Sequence, residues 1–480
     1  LVFSRDNELK SSLLGNRRFY ENVVILGLPV ALQNLLTTSA GMIDTIMIGT
    51  EGEIAVAAVG ICALFSLLLF SAYFGFCHGG IIFFAQYWGA KDEKGICRAY
   101  GLTLVCMMAV GVVFGALAIF APELIMGMYT DKESIRQTGI PYLRIVGWAY
   151  PLQTLAMAIS SLLRSIEKVK VPLYASIVSL VTNTFFNWVL IFGNLGFPRM
   201  GVTGAAIGTV IASVVQIAVL YVYCLKDKHS FITRVRQHYI WTLSFIKEFF
   251  SKILFVVINE LLYGSGQLFL NMIIGRQVEA GIAAWAVFRV LEGFIFAFFV
   301  GLANASSVMV GKRIGAGEHM EGYTDAKRFV LLCPLVTFLI CVIVILLRSP
   351  ILSCFNLGTA AFRYAELMLF IYLAAGTMRT CNYICNNIFR AGGEPIFGTV
   401  LEGCGLYLIC IPAAAIAGFV FRWPFLAVFV MLYLDEFIRL LINLWYINSG
   451  RWIKPVTGEG KARLAEFRAR ISSNQRLKTV

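Results

Sequence analysis

Uninterrupted apolar stretches long enough to cross a bilayer recur along this whole chain, and no other sequence feature restricts its fold so severely. Leu104–Phe120, Phe329–Leu347 and Tyr407–Phe421 contain no charged residue at all. A hydrocarbon core about 30 Å thick takes roughly 20 residues of helix. Backbone polar groups in lipid must pair within their own segment, so long apolar runs mean helices. A membrane barrel would show short alternating segments instead. The composition agrees, with 59% hydrophobic and 14% charged residues, where soluble domains carry about a quarter charged. The fold class is therefore all-α integral membrane, with about twelve spanning helices.

The helices are expected at 22–49, 55–86, 97–128, 134–165, 170–193 and 201–226, then at 250–275, 280–310, 322–348, 362–391, 395–420 and 424–448. The net charge of +13 could suggest a nucleic-acid partner. However, the basic residues collect in the termini and in alternate connections, such as "AKDEKGICR", "RSIEKVK" and "KDKHSFITRVRQ". That pattern is the one left by cytoplasmic loops, so both termini are expected in the cytoplasm. The first twenty residues include Arg5, Lys10, Arg17 and Arg18 and lack a short apolar region ending in a cleavage site, so no cleavable signal is expected. Twelve cysteines, among them Cys62, Cys106, Cys341 and Cys410, lie inside apolar runs without metal-ligand spacing. They read as small core residues.

The chain also repeats itself at a shift of about 226 residues. Ile48-Gly49 falls on Ile274-Gly275, Ala57-Ala58 on Ala283-Ala284, Gly75 on Gly301, Gly89-Ala90 on Gly315-Ala316, and Arg164 on Arg390. An even number of helices per half gives both halves one orientation, related by a pseudo-twofold axis along the membrane normal. The expected organisation is a cytoplasmic segment 1–21, an N-lobe 22–226, a basic cytoplasmic linker 227–249, a C-lobe 250–448 and a basic tail 449–480. Two similar bundles around a central cavity are a transporter's architecture.

Several motifs then stand out in order. They are "GLPVALQNLLTTSAGMIDTIMIG" with "AVAAVG", "GFCHGGIIFFAQYWGAKD", "GVTGAAIGTVIAS", "INELLYGSGQLFLNMIIGR", "GLANASSVMVGKRIGAG", "FRAGGEP" and "DEFIRLLINLWYINSGRW". Together they resemble the multidrug and toxic compound extrusion (MATE) family over nearly the whole chain. The resemblance implies an efflux antiporter of two six-helix lobes, driven by H⁺ or Na⁺, that alternates between outward- and inward-facing states. It implies organic cations or amphipathic drugs as cargo, no cofactor beyond the coupling ion, and a monomer in a bacterial cytoplasmic membrane.

Charges inside spans cost at least ~2.5 kcal/mol each on the most lenient scales, so they are the informative ones. Asp44 lies deep in the first helix and matches the family's N-lobe cation-coupling aspartate. Asn183 and Asn187, four apart, share one face of the fifth helix. Asn183 matches a family site residue, whereas Asn187 stands where many members have a second aspartate. Thr209 is a fourth candidate, and Na⁺ could bind at Asp44, Asn183 and Asn187. An interhelical hydrogen bond would explain Asn183 equally well.

In the second half Glu260 matches a seventh-helix glutamate used for cation or substrate, although its counterpart in the repeat is Asn34. Arg289 and Glu292 are spaced to pair with each other. Arg379 and the group Asp435, Glu436 and Arg439 could form one buried ion network that positions Glu260. Arg144 has no partner evident from spacing. Phe65, Tyr73, Phe269 and Phe296 could line a cavity and meet cationic cargo, but most of the 38 Phe must face lipid or the bundle interior.

A lipid-linked-oligosaccharide flippase of the same superfamily is the nearest alternative, and would be expected to carry more basic residues in its cavity. An enzyme is not expected. HExxH, Walker A and a GxSxG beside a plausible base are all missing, and the four His stand at positions 78, 229, 238 and 319.

Overall fold

The computed structural model describes residues 15–227, 231–355 and 357–476. Most of the expected N-terminal segment, residue His229 of the linker and the last residues of the tail lie outside the described residues. Among those described, the secondary structure is helical and no strand occurs.

The first half holds α1 (Arg17–Gly49), α2 (Glu53–Gly89), α3 (Glu93–Phe120), α4 (Pro122–Tyr129), α5 (Glu133–Val146), α6 (Ala149–Ser165), α7 (Lys170–Phe192) and α8 (Val202–Lys226). The linker contains the short α9 (Val235–His238). The second half holds α10 (Leu243–Ile274), α11 (Glu279–Gly315), α12 (His319–Leu346), α13 (Arg348–Ser353), α14 (Thr359–Ala391), α15 (Pro395–Cys404), α16 (Ile411–Ala415), α17 (Phe425–Met431) and α18 (Leu434–Ser449). The tail forms α19 (Gly458–Arg476).

Several expected spans are interrupted, and most breaks have a local cause. The third ends at Phe120 because Pro122 has no N–H and starts a new short helix at its first position. The fourth bends by 46° between α5 and α6, where Gly147 and Trp148 separate the two pieces. In the eleventh, Pro412 is flanked by π-wound stretches at Gly405–Cys410 and Ile416–Val420. The wider winding accommodates the missing donor and the ring. The twelfth is divided into α17 and α18.

Nine described helices are long and apolar enough to cross a membrane, and the bent pair α5–α6 makes ten. The two remaining expected spans are charged. Helix α14 carries Arg363, Glu366, Arg379 and Arg390, and α18 opens with Asp435 and Glu436 and includes Arg439.

The chain divides into two compact units. One comprises Leu1–Ala31, Ala85–Asp92 and Leu254–Val480, and the other Leu32–Phe84 and Glu93–Ile253. Helices α1, α2 and α10 are therefore each shared between units. In the first unit, Phe288, Tyr372, Phe425 and Phe429 centre a buried aromatic core. There the end of α2 also lies against the end of α11. Backbone approaches so closely that a Cβ on Gly89 would collide with the Lys312 carbonyl, and one on Gly315 with the Gln86 carbonyl. Only glycine permits that crossing. Gln86, fully buried, secures it by donating to Ala391 O at 2.7 Å and accepting from Val456 N at 2.8 Å.

In the second unit the linker docks on the start of α3. Arg234 pairs with Glu93 at 2.5 Å, Trp241 Nε1 donates to Arg98 O at 3.1 Å, and His238 packs edge-on against Tyr100. Lipid tails are as apolar as leucine, so helices in this setting associate through close packing and polar contacts rather than by excluding water. The α7–α8 pair shows both.

Candidate functional site

The sequence "GVTGAAIGTVIAS" brings α8 against α7 through Gly204 and Gly208, four residues apart on one face. A Cβ on Gly204 would lie 2.7 Å from the Leu190 carbonyl carbon, so the two backbones are in direct contact there. One turn on, a Cβ on Gly208 would collide with the Asn187 side-chain oxygen. The Asn187 amide is thus held flat against α8, with its NH₂ turned toward α1. Asn187 Nδ2 donates to Asp44 Oδ1 at 2.5 Å and lies 3.4 Å from Asn183 Oδ1. Asn187 is fully buried, Asn183 is 7% exposed and Asp44 is half-buried.

The structure therefore brings together Asp44, Asn183 and Asn187. Thr209 faces its own helix and donates to Ala205 O at 3.0 Å. Asn187 Oδ1 is buried with no hydrogen-bond partner. A carboxylate and two amide oxygens form a small set of hard donors, the kind that a proton or Na⁺ takes. Among the described residues no group of three or more His, Cys, Asp and Glu is arranged to hold a metal ion.

The second half contains a larger ion network. Arg390 Nη1 reaches Glu260 Oε1 at 3.0 Å, and its other terminal nitrogen donates to Asn259 Oδ1. Asn259 Nδ2 then donates to Glu402 Oε2 at 3.1 Å, and Asn386 Nδ2 to the same oxygen at 2.6 Å. Glu402 is also 3.8 Å from Arg439, which lies 3.0 Å from Asp435 and 3.7 Å from Glu436. Asn382 completes it, donating to Glu436 Oε2 at 2.7 Å and accepting from Asn443 at 2.8 Å. Glu260 thus belongs to the same network as Asp435, Glu436 and Arg439.

Arg289 pairs with Glu292 at 2.6 Å, as their spacing implies. Arg379 also pairs with Glu292, and it donates to the Tyr263 hydroxyl at 2.6 Å. Arg144 has a partner after all, the exposed Glu123 at 2.8 Å. The aromatic candidates separate by environment. Phe65 and Tyr73 are buried, Phe296 packs against Phe299 and Tyr383, and Phe269 is exposed.

Sequence reasoning passed over Asn259, Asn382, Asn386, Arg390, Glu402 and Asn443 as site residues. The signal for two of them was present. Glu402 is a lone acid in an apolar run, and Arg390 is an intramembrane charge already matched to Arg164 by the repeat.

The family is shown by comparison with known proteins. The MatE family model matches residues 29–189 and 256–416, once in each half. The probable multidrug resistance protein YoeA of Bacillus subtilis is 27% identical over 410 residues, covering 84% of this chain and 88% of that protein. A probable multidrug resistance protein NorM of Thermotoga maritima is 22% identical over 440 residues, covering 90% and 93%. Among solved structures, the Vibrio cholerae MATE transporter VcmN in its bent form matches with a TM-score of 0.82 at 15% identity, over 92% of this chain and 98% of that one. A MOP superfamily transporter from Pyrococcus furiosus matches at 0.81 and 17%, with the same coverage. This chain belongs to the MatE family of multi-pass membrane transporters.

Proposed function

We propose that this protein is a secondary active multidrug efflux antiporter, exporting organic cations or amphipathic drugs in exchange for H⁺ or Na⁺ by alternating access. The observation that carries the reading is the Asp44 carboxylate bonded to Asn187 at 2.5 Å inside a membrane-crossing helix. Isolated intramembrane acids are costly, and one that binds a cation from one side and releases it to the other can link ion movement to conformation. The buried, unpartnered oxygen of Asn187 supports a cation at this point. The names of relatives such as YoeA and NorM support multidrug cargo. Each elementary charge driven inward gains ~2.3 kcal/mol per 100 mV, enough for a coupling of the usual 1–3 kcal/mol. The basic termini and linker support a cytoplasmic location for both ends.

The test is purified protein in proteoliposomes, with a pH gradient or a Na⁺ gradient imposed separately and a fluorescent organic cation as cargo. Uphill export is expected with one of the two gradients, and Asp44→Asn should abolish it. Export that persists in Asp44→Asn at the wild-type rate, or export driven by neither gradient, would remove the reading.

A further inference from the structure

The repeat sets one contact of the linker against one contact of the tail. At the shift of 226 residues Glu93 falls on His319 and Arg234 on Gly460. In the first half the Arg234–Glu93 ion pair closes the linker onto the start of α3. In the second half a bond of 2.9 Å between His319 Nε2 and Gly460 O closes the tail onto the start of α12. The same position holds the segment that follows each half, but in the second half it is an imidazole. His319 precedes the expected span 322–348.

That imidazole is 3% exposed. A carbonyl only accepts, so Nε2 carries the ring proton, and the bare Nδ1 is buried with no hydrogen-bond partner. Phe467 of α19 covers the ring edge-on at 5.7 Å and meets Tyr323 at 5.9 Å. A second proton on the ring would therefore be a buried charge with nothing to accept its hydrogen bond. The carboxylates nearby are already engaged. Arg313 pairs with Glu318 and Glu321, Arg313 and Arg328 with Asp325, and Arg470 with Glu466 of α19. Arg463 lines the same cavity as His319. Among the described residues no carboxylate forms an ion pair with Arg463, so its charge opposes protonation of the ring.

The tail changes character after Thr457. Before it, Trp452 and Ile453 are fully buried, and Thr457 Oγ1 donates to Gly315 O at 2.7 Å, beside the crossing of α11 with α2. After it, Gly458 is exposed, and a Cβ there would meet nothing within 4 Å. Among the described side chains of α19 only Phe467 and Ile471 are buried. A cavity of about 210 Å³ remains between α19 and the start of α12. Few buried contacts mean a low local cost of opening.

We infer that α19 is a proton-released latch, docked while His319 is neutral and swung out about Gly458 when its surroundings acidify. The device depends on neither the cargo nor the coupling ion. A freed imidazole titrates near its ordinary value of about 6.5. The open tail then binds more protons than the docked one, so docking is firm above that pH and weakens below it. Between pH 7.5 and pH 5.5 the open fraction should rise about tenfold.

The test is the alkylation rate of Ile471→Cys in the full chain, in detergent and in a background without native cysteines. Division by the rate of a short peptide with the same flanking residues at the same pH removes the titration of the thiol. The quotient reports the open fraction even when opening is rare. It should rise about tenfold from pH 7.5 to pH 5.5. His319→Gln keeps an N–H for Gly460 O but cannot titrate, and should flatten the profile. Arg463→Glu places a carboxylate beside the ring and should shrink the rise. Phe467→Ala should raise the quotient at both pH values. An unchanged quotient in the parent protein, a rise that survives undiminished in both His319→Gln and Arg463→Glu, or a Phe467→Ala quotient no higher than the parent's at pH 7.5 would overturn the inference.

Discussion

Gly208→Ala is the sharpest perturbation of the candidate coupling site, because it adds one methyl group and touches no charged residue. The new Cβ would stand 3.4 Å from both Asn187 Cγ and Asn187 N and would overlap Asn187 Oδ1. Ordinary contact distances are 3.5–4.0 Å between carbons, so the amide must withdraw by about 1 Å. Its 2.5 Å bond to Asp44 would then stretch to about 3.5 Å, where it no longer counts as a hydrogen bond. A hydrogen bond to a charged group contributes about 1.5–3 kcal/mol. Coupling of ion to cargo should therefore weaken by roughly 10- to 100-fold, at 1.36 kcal/mol per decade. The overpacking itself costs about 1–3 kcal/mol of stability.

Two measurements separate these effects: uphill export in proteoliposomes, and thermal unfolding in detergent. The double variant Gly208→Ala/Asn187→Ala removes the clashing amide. It should recover stability without recovering coupling, a pattern that a purely structural role for Asn187 does not produce. Wild-type uphill export by Gly208→Ala alone would refute the reasoning.

Three further outcomes follow from other parts of the molecule. Glu260→Gln keeps the shape of the Arg390 partner but removes its charge; uphill transport should fall at least tenfold while the protein still inserts, and normal transport with normal stability would take Glu260 out of the site. Burial holds the His238 imidazole below its ordinary value of 6.5, opposed in part by its bond to Phe231 O. The undocked linker then binds more protons than the docked one, so docking is firm above pH 6.5 and weakens as pH falls through that value. Protease cleavage near position 238 should rise between pH 7.5 and pH 5.5, and His238→Gln should flatten the profile. Finally, Arg234→Cys in a background without native cysteines should be labelled from the cytoplasmic side only; labelling from outside intact cells would reverse the orientation.

Much of the architecture could be read directly from residue order. Span length follows from bilayer thickness, so the apolar runs located nearly every helix, whereas the interruptions at Pro122 and around Pro412 fall inside the expected spans 97–128 and 395–420 and appeared only in the structure. The shift that lays Arg164 on Arg390 also revealed the duplication, because an internal repeat is a property of the sequence alone. Asp44, Asn183 and Asn187 were legible for a related reason: polar groups in an apolar run are costly, and a spacing of four fixes their common face. Partnership across the chain was not legible. Arg390 meets Glu260, Arg379 meets Glu292 and Arg439 meets Glu402 only because helices distant in sequence pack side by side. The role of Gly208 was equally hidden, since any glycine in a membrane helix could serve close packing and only the opposed Asn187 shows what this one admits. The sequence could state that the two halves are alike and that Glu260 has a neutral counterpart in Asn34. Only the fold could show that Glu260 belongs beside Arg390, because the energy of a buried charge is decided by its neighbours in space.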